Sequence, residues 1–262
     1  MNLFEQQLLE LLSINGASGQ EQEVTKYLTQ ALKNLVDSHW NDEAGNLLAE
    51  KKVGNQQGMT ILLSAHMDTA GTFSSNREII REGDILTSSE GILGADDRAG
   101  IAVILDVLRR VESTRFNGTI KVSFTVQEEV GCIGSSMINP HWLEGVNAAI
   151  VVDRRGSRDI VINNRSTTFC HRAVGDFYEY VSTSIGMEDW KATTGGLSDT
   201  AVYARLGINS VNLSVGYQNE HTNREILNII HAQQTSDFVL QALHLINHNP
   251  NVFALSNRYE IA

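Results

Sequence analysis

The stretch MTILLSAHMD, residues 59–68, places three consecutive large apolar side chains, Ile61, Leu62 and Leu63, ahead of a histidine and an acid. Alternate side chains of a strand face opposite sides, so an apolar run with no polar interruption implies a strand covered on both faces. That pattern belongs to a parallel sheet held between helical layers. Residues 148–152, AAIVV, repeat it and are likewise followed by an acid, Asp153.

Outward from these two runs, the spacing predicts the other elements. Residues 3–12 form a helix with Phe4, Leu8, Leu11 and Leu12 on one face, and a second helix carries Val24, Leu28, Ala31 and Leu35. Ser18-Gly19-Gln20-Glu21 reads as a capping box opening that second helix. Residues 46–53 and 59–65 are strands separated by a Gly54-Asn55 turn. The loop 91–94 feeds a helix over 97–112 with Ile101, Ile104, Leu105, Leu108 and Val111 inward. Further strands fall at 119–126, 148–152, 159–162 and 208–213, and helices at 173–184, 198–205 and 225–248, with Pro250 ending the last. Strands alternating with helices predict an α/β three-layer sandwich: a mixed, mostly parallel central sheet with helices on both faces. No repeat or linker interrupts the chain, so residues 1–262 are expected to be a single domain.

Composition narrows the class. At 262 residues and 42% hydrophobic, the chain builds a core without disulfides. Cys132 and Cys170 fit no zinc-ribbon or redox spacing and read as reduced thiols. The formal charge of −11 and the lack of any basic stripe argue against nucleic acid as a partner. No run approaches the roughly 18 apolar residues of a membrane span. The opening MNLFEQQLLELL has no basic n-region and reads as an amphipathic helix, so a cytoplasmic location is expected.

Acids and histidines fall where ligands bind in open α/β sheets, beyond the carboxyl ends of strands. One strand delivers His66 and Asp68, another Glu128 and Glu129, and a third Asp153. The 91–94 loop leads to Asp96 and Asp97, and the loop after 208–213 carries His221. Singly, each has an ordinary reading: Asp96 as a helix cap, Glu128-Glu129 as a charged turn, Asp153 paired with Arg154 or Arg155, His221 solvated. Jointly they gather several carboxylates at one edge, which burial penalises heavily unless cations neutralise them. Imidazole and carboxylate without cysteine suit zinc or a similar divalent metal.

The segments SAHMDTAG (64–71), GADDRAG (94–100), QEEVG (127–131), VVDR (151–154), GGLSD (195–199) and GYQNEHTNRE (216–225) resemble the co-catalytic zinc exopeptidases. That clan includes peptidase T, carboxypeptidase G, the tetrahedral aminopeptidases and the bacterial leucyl aminopeptidases. GASGQEQEV (16–24) is similar to its N-terminal segment, and the resemblance spans roughly residues 1–248. It implies two divalent metal ions, zinc by family habit, with His66 and Asp153 on one, Glu129 and His221 on the other, and Asp96 bridging. It also implies that Asp68 orients His66, that Glu128 is the general base, and that the Asp96–Asp97 peptide bond is cis. Two zinc ions about 3.5–4 Å apart polarise a carbonyl and activate water.

The implied activity is hydrolysis of short peptides, most simply as an aminopeptidase. A dipeptidase or N-acyl amino acid deacylase on the same site is the alternative, and an inactive binding module the remote one. The choice turns on what holds the substrate terminus: an acid for a free amine, or Arg98, Arg154, Arg155 or Arg224 for a carboxylate. Only 46 positions separate Asp153 from Asp199, and 28 separate Asp68 from Asp96. Neither interval accommodates the lid or dimerisation domain that several relatives insert, so any homo-oligomer would use the catalytic domain's own surface. Lidded relatives draw an oxyanion-stabilising histidine from that insert; here Tyr217 and His171 are the candidates.

Overall fold

The computed structural model describes residues 2–255; Met1 and residues 256–262, the ends of the span expected to be one domain, lie outside the described residues. Two helices, α1 (Leu3–Ser13) and α2 (Gln22–Leu32), turn their apolar stripes inward and lead into β1 (Ser38–Asn41), β2 (Leu47–Val53) and β3 (Thr60–His66). A hairpin of β4 (Ile79–Glu82) and β5 (Ile85–Ser88) precedes the central helix α3 (Ala95–Arg110). Next come β6 (Gly118–Thr125), the short helices α4 (Ile133–Met137) and α5 (Pro140–Leu143), β7 (Val146–Arg154) and β8 (Asp159–Asn163). Then follow α6 (Arg172–Ser184), β9 (Lys191–Thr194), α7 (Asp199–Arg205), β10 (Asn209–Ser214), β11 (Tyr217–Gln218) and β12 (Ile226–Asn228). Helices α8 (Ile229–Ile246) and α9 (Pro250–Phe253) close the described chain.

The main sheet has eight strands in the order β1-β2-β6-β3-β7-β10-β8-β9. Its centre, β6-β3-β7-β10, is parallel, while β2 joins β6, and β8 joins β10, antiparallel. This is the mixed, mostly parallel sandwich that the apolar runs predict. Ile61, Leu63 and Ala65 of β3 enter one buried cluster with Ile101 and Leu105 of α3 and Phe238 of α8. Leu62 faces the other way, into a second cluster with Ala149, Val151 and Tyr203. Ser64, Ser123 and Tyr203 hydroxyls bond to one another at 2.9–3.0 Å, which satisfies the polar atoms that the strands bury there. Cys132 and Cys170 are free thiols, as expected. Among the described residues, no helix is long and apolar enough to cross a membrane.

Three expectations are corrected. Ser18 and Glu21 do not form a capping box: the N-cap, Glu21, makes no side-chain cap bond, and the Ser18 hydroxyl instead donates to Asp68 at 2.7 Å. The closing helix begins at Ile229 rather than 225, because Ile226 and Leu227 pair with β5. They complete a four-stranded sheet, β11-β12-β5-β4, that the sequence reading does not contain. Asn228 then caps α8 by accepting the His231 N–H at 3.0 Å. Pro250 lies in the first turn of α9 rather than ending α8, which stops at Ile246.

Helix α3 is buried at every residue from 95 to 108, not along one stripe. Such close approach to the sheet depends on Gly100, where an added Cβ would stand 2.0 Å from the Val152 carbonyl oxygen and 2.5 Å from Asp97 Oδ1. Gly→Ala in an open helix gains about 1 kcal/mol. At Gly100 the methyl meets backbone, so Gly100→Ala should instead cost about 1–3 kcal/mol. Urea unfolding checks the sign; unchanged or raised stability would contradict this packing.

Candidate functional site

The parallel centre of the sheet brings the ends of β3, β6 and β7 to one edge, where the start of α3 and the β11–β12 loop meet them. His66 ends β3, and its Nδ1 donates to the Asp68 backbone oxygen at 3.0 Å, with Asp68 Oδ1 at 3.3 Å. That leaves Nε2 facing the cavity. It lies 3.0 Å from Asp96 Oδ1, 3.6 Å from Asp153 Oδ1 and 4.0 Å from Glu128 Oε2. The other Asp96 oxygen, Oδ2, lies 3.1 Å from His221 Nε2, which is 2.8 Å from Glu129 Oε2.

Two groups able to hold an ion follow: His66, Asp96 and Asp153, and Asp96, Glu129 and His221, each with ligand atoms within 4.8 Å of one another. Asp96 belongs to both, through a different oxygen in each. A third group, Glu128, Cys132 and Asp199, is less suited. Asp199 already accepts from Thr125 and Ser135, and the Cys132 thiol donates to Glu128 Oε1 at 3.3 Å.

Backbone geometry sets these positions. Gly94 takes φ +73°, Asp96 departs from helical geometry at φ −81° and ψ 105°, and the Asp96–Asp97 bond is cis, as the resemblance implies. The Asp68 carboxylate accepts the backbone N–H groups of Glu128 and Glu129 at 2.9 and 3.1 Å as well as the Ser18 hydroxyl. Glu225, taken from the sequence only as the start of a helix, accepts the N–H groups of Gly94, Ala95 and Asp96 at 2.8, 2.8 and 3.1 Å. No spacing rule joins positions about 130 residues apart; only its presence in the GYQNEHTNRE segment singles it out.

The site is electrostatically crowded. Burial, then repulsion from Asp153, Asp199 and Asp96, pushes the Glu128 carboxyl up to about 9. Burial and Asp96 raise Asp153 to about 7. Asp96 itself is buried, yet hydrogen bonds from His221 and His66 hold it low. Hydrogen bonds to Asp96 and Glu129 lift His221 to about 10. For His66, burial opposes the charge, but Asp153, Asp68 and Asp96 outweigh it and raise its pKa.

The cavity at this edge has a volume of about 180 Å³, and Asp96, Glu128, Glu129, Asp153, Tyr217 and His221 help to line it. The Tyr217 hydroxyl donates to Asp153 Oδ1 at 3.0 Å. His171 is not at the site: it caps α6, accepting the Ala173 N–H, and its own N–H meets Asn209 at the opposite end of β10. Arg98 is buried and donates to the Met67 and Ile14 carbonyls, and Arg154 pairs with Asp159. Arg155 pairs with Glu220 at the cavity, while Arg224 is exposed and is not among its lining residues.

Residues 46–246 match the family model described as Peptidase family M28. The chain belongs to peptidase family M28. Its motifs, site and family agree with a place among the co-catalytic zinc exopeptidases. Among curated proteins, the uncharacterized protein YqjE of Bacillus subtilis (strain 168) is 32% identical over 143 residues, which cover 51% of this chain and 38% of that protein. The chain thus matches well under half the length of this relative. Among solved structures, a tripeptidase from Staphylococcus aureus subsp. aureus Mu50 superimposes with a TM-score of 0.82 at 18% identity, covering 94% of this chain and 98% of that one. Aminopeptidase PepT from Bacillus cereus ATCC 10987 gives 0.80 at 18%, covering 92% and 97%. At such identities the likeness is one of fold. It spans nearly the whole of this M28 chain.

Glu225→Gln keeps the side-chain volume but turns an amide N–H₂ toward backbone donors. An unsatisfied buried donor costs about 1–3 kcal/mol. The variant should lose stability by about that amount in urea unfolding of metal-free protein, and a loss below about 0.5 kcal/mol would show that Glu225 does not hold the 94–96 turn.

Proposed function

We propose that this chain is a metal-dependent exopeptidase of the cytoplasm, an aminopeptidase of short peptides, acting with two zinc ions as a single catalytic domain without a lid. The observation that carries the reading is the Asp96 carboxylate, which presents Oδ1 to one three-residue group and Oδ2 to the other. The donor set fits a pair of dications. Glu129 Oε1 is buried without a partner among the described residues, and the surrounding acids are more numerous than the two histidines can neutralise. Imidazole and carboxylate donors suit zinc. In this reading His66, Asp96 and Asp153 hold one ion, and Asp96, Glu129 and His221 the other.

A zinc pair held there would supply Lewis acidity, polarising the scissile carbonyl and lowering the pKa of water. Asp68 fixes the His66 ring and, through the backbone N–H groups of Glu128 and Glu129, the turn that carries both glutamates. Glu128 takes the proton of the attacking water and delivers it to the leaving amine. Its Oε1 is held by the Cys132 thiol, which leaves Oε2 facing His66 across the cavity. Dications among the acids would offset the burial and the repulsion that together raise the Glu128 pKa and favour the ionised form that a base requires. Tyr217, rather than His171, is the candidate oxyanion donor in this reading: its hydroxyl lies at the cavity and would have to turn its single proton from Asp153 Oδ1 to the oxyanion.

Protein loaded with excess zinc and desalted should retain about two equivalents by elemental analysis, as a two-metal site requires. A stoichiometry that stays at one would overturn the bridging role of Asp96.

The adjacent glutamates should separate. Glu128→Gln should keep both ions and lose about two to four orders of magnitude in turnover on aminoacyl-anilides. Glu129→Gln should instead lose one ion. Near-full turnover in Glu128→Gln would end its assignment as the base.

A further inference from the structure

We propose that Glu220 receives the ammonium group of the substrate, the free α-amino group of its first residue. This rests on the reading of the cavity as a peptide-cleaving site. Glu220 immediately precedes His221 and lines the same cavity as Asp96, Glu128, Glu129 and Asp153. Its side chain is only 10% exposed. One oxygen, Oε1, meets the Arg155 guanidinium, whose side chain is 60% exposed. The other, Oε2, is buried and has no hydrogen-bond partner among the described residues.

A carboxylate enclosed to that degree with one oxygen unmatched is costly, and a cationic donor arriving in the cavity would satisfy it. Arg155 does so only in part, since a mostly exposed partner is screened by solvent. The backbone around Glu220 is held in a costly conformation: Asn219 and His221, on either side, have φ of 55° and 62°. Such strain at non-glycine residues persists where the surroundings fix it, commonly at sites of function. Here it delivers two consecutive side chains, Glu220 and His221, to the same cavity.

Charge decides the sign of the ligand group. A substrate carboxylate would need an uncommitted cation, but Arg98 and Arg154 are engaged with the chain and Arg155 is engaged with Glu220 itself. The unsatisfied group in the cavity wall is thus an acceptor, which matches an amine terminus rather than an acyl or carboxylate one. A lysine or ornithine side chain offers the same ammonium chemistry, so the test must distinguish the two sources.

The test is calorimetric binding to the zinc-loaded full chain, with L-leucinamide as the α-ammonium probe and Nα-acetyl-L-lysinamide as the side-chain probe. Glu220→Gln should weaken leucinamide by about ten- to a hundred-fold, the usual worth of a charged hydrogen bond. Arg155→Met should tighten it, because the competing cation is gone; a merely structural pair would make both variants worse. If Glu220→Gln weakens only Nα-acetyl-lysinamide, the ammonium is that of a side chain and the α-amino assignment falls. Unchanged binding in Glu220→Gln, weakening in both variants, or no binding of either probe to the wild type overturns the proposal. Hydrolysis of leucyl-anilide tests the parent reading separately. Glu220-dependent binding without turnover would remove the peptidase activity and leave the amine site, whereas turnover indifferent to Glu220 would do the reverse.

Discussion

Mutual repulsion among carboxylates gathered at one sheet edge is the constraint on which the rest of this structure turns. Asp96, Asp97 and Asp153 stand close enough to shift one another's ionisation, inside a region that excludes most water. Burial of this kind is tolerable only when each negative charge has a partner. The chain divides its acids into two sets. Asp68, Asp97 and Glu225 are answered by backbone: Asp68 by Glu128 and Glu129 N–H, Asp97 by Gly100 N–H, Glu225 by three successive N–H groups. Asp96, Glu129 and Asp153 meet mainly histidine and tyrosine side chains, with their remaining acceptor capacity turned into the cavity. The second set is able to hold metal ions, and the first set holds the loops that present it.

How much of this was legible depended on the range of the interaction. The run Ile61-Leu62-Leu63 declares a doubly covered strand because the alternation of side chains is a local property, and the structure places Leu62 in one buried cluster and its neighbours in the other. Strand ends then follow, and with them the places of His66, Asp153 and the Glu128-Glu129 pair. Strands of two to four residues, such as Tyr217–Gln218 and Ile226–Asn228, carry too little periodicity to register and exist through pairing with distant partners. The helix read from 225 failed for that reason: Ile226 and Leu227 satisfy a helical stripe as well as a strand, and pairing with β5 decides. Ser18 failed differently. Its spacing to Glu21 fits a cap, but its hydroxyl serves an acid fifty positions away.

Asp68 shows how the site and fold are joined. Its backbone oxygen takes the His66 Nδ1 proton, so the ring is oriented by the chain itself, while its carboxylate accepts N–H groups from a turn that follows a different strand, β6. Because Glu128 and Glu129 donate their N–H groups to the two oxygens of one carboxylate, their side chains start from a fixed and shared base. They then diverge: Glu128 toward His66, Glu129 toward His221. Two chemically identical neighbours thereby meet different partners through direction alone. The β3 and β6 strands lie side by side in the sheet, so the same pairing that builds the core brings His66 and this glutamate turn within reach of Asp68.

The same geometry ties the site to the seating of α3. The helix enters the sheet edge through Gly94 and Asp96, is fastened from outside by Glu225, and is fastened from beneath by the contact of Gly100 with Val152. Val152 is the residue before Asp153, so the backbone that sets the depth of α3 is the backbone that positions Asp153. A change in the height of the helix would move Asp96 relative to both histidines and Asp153 at once. One carboxylate can face two groups only while both of its oxygens keep their distances. The burial of α3 on every side is therefore the packing counterpart of Asp96's double role.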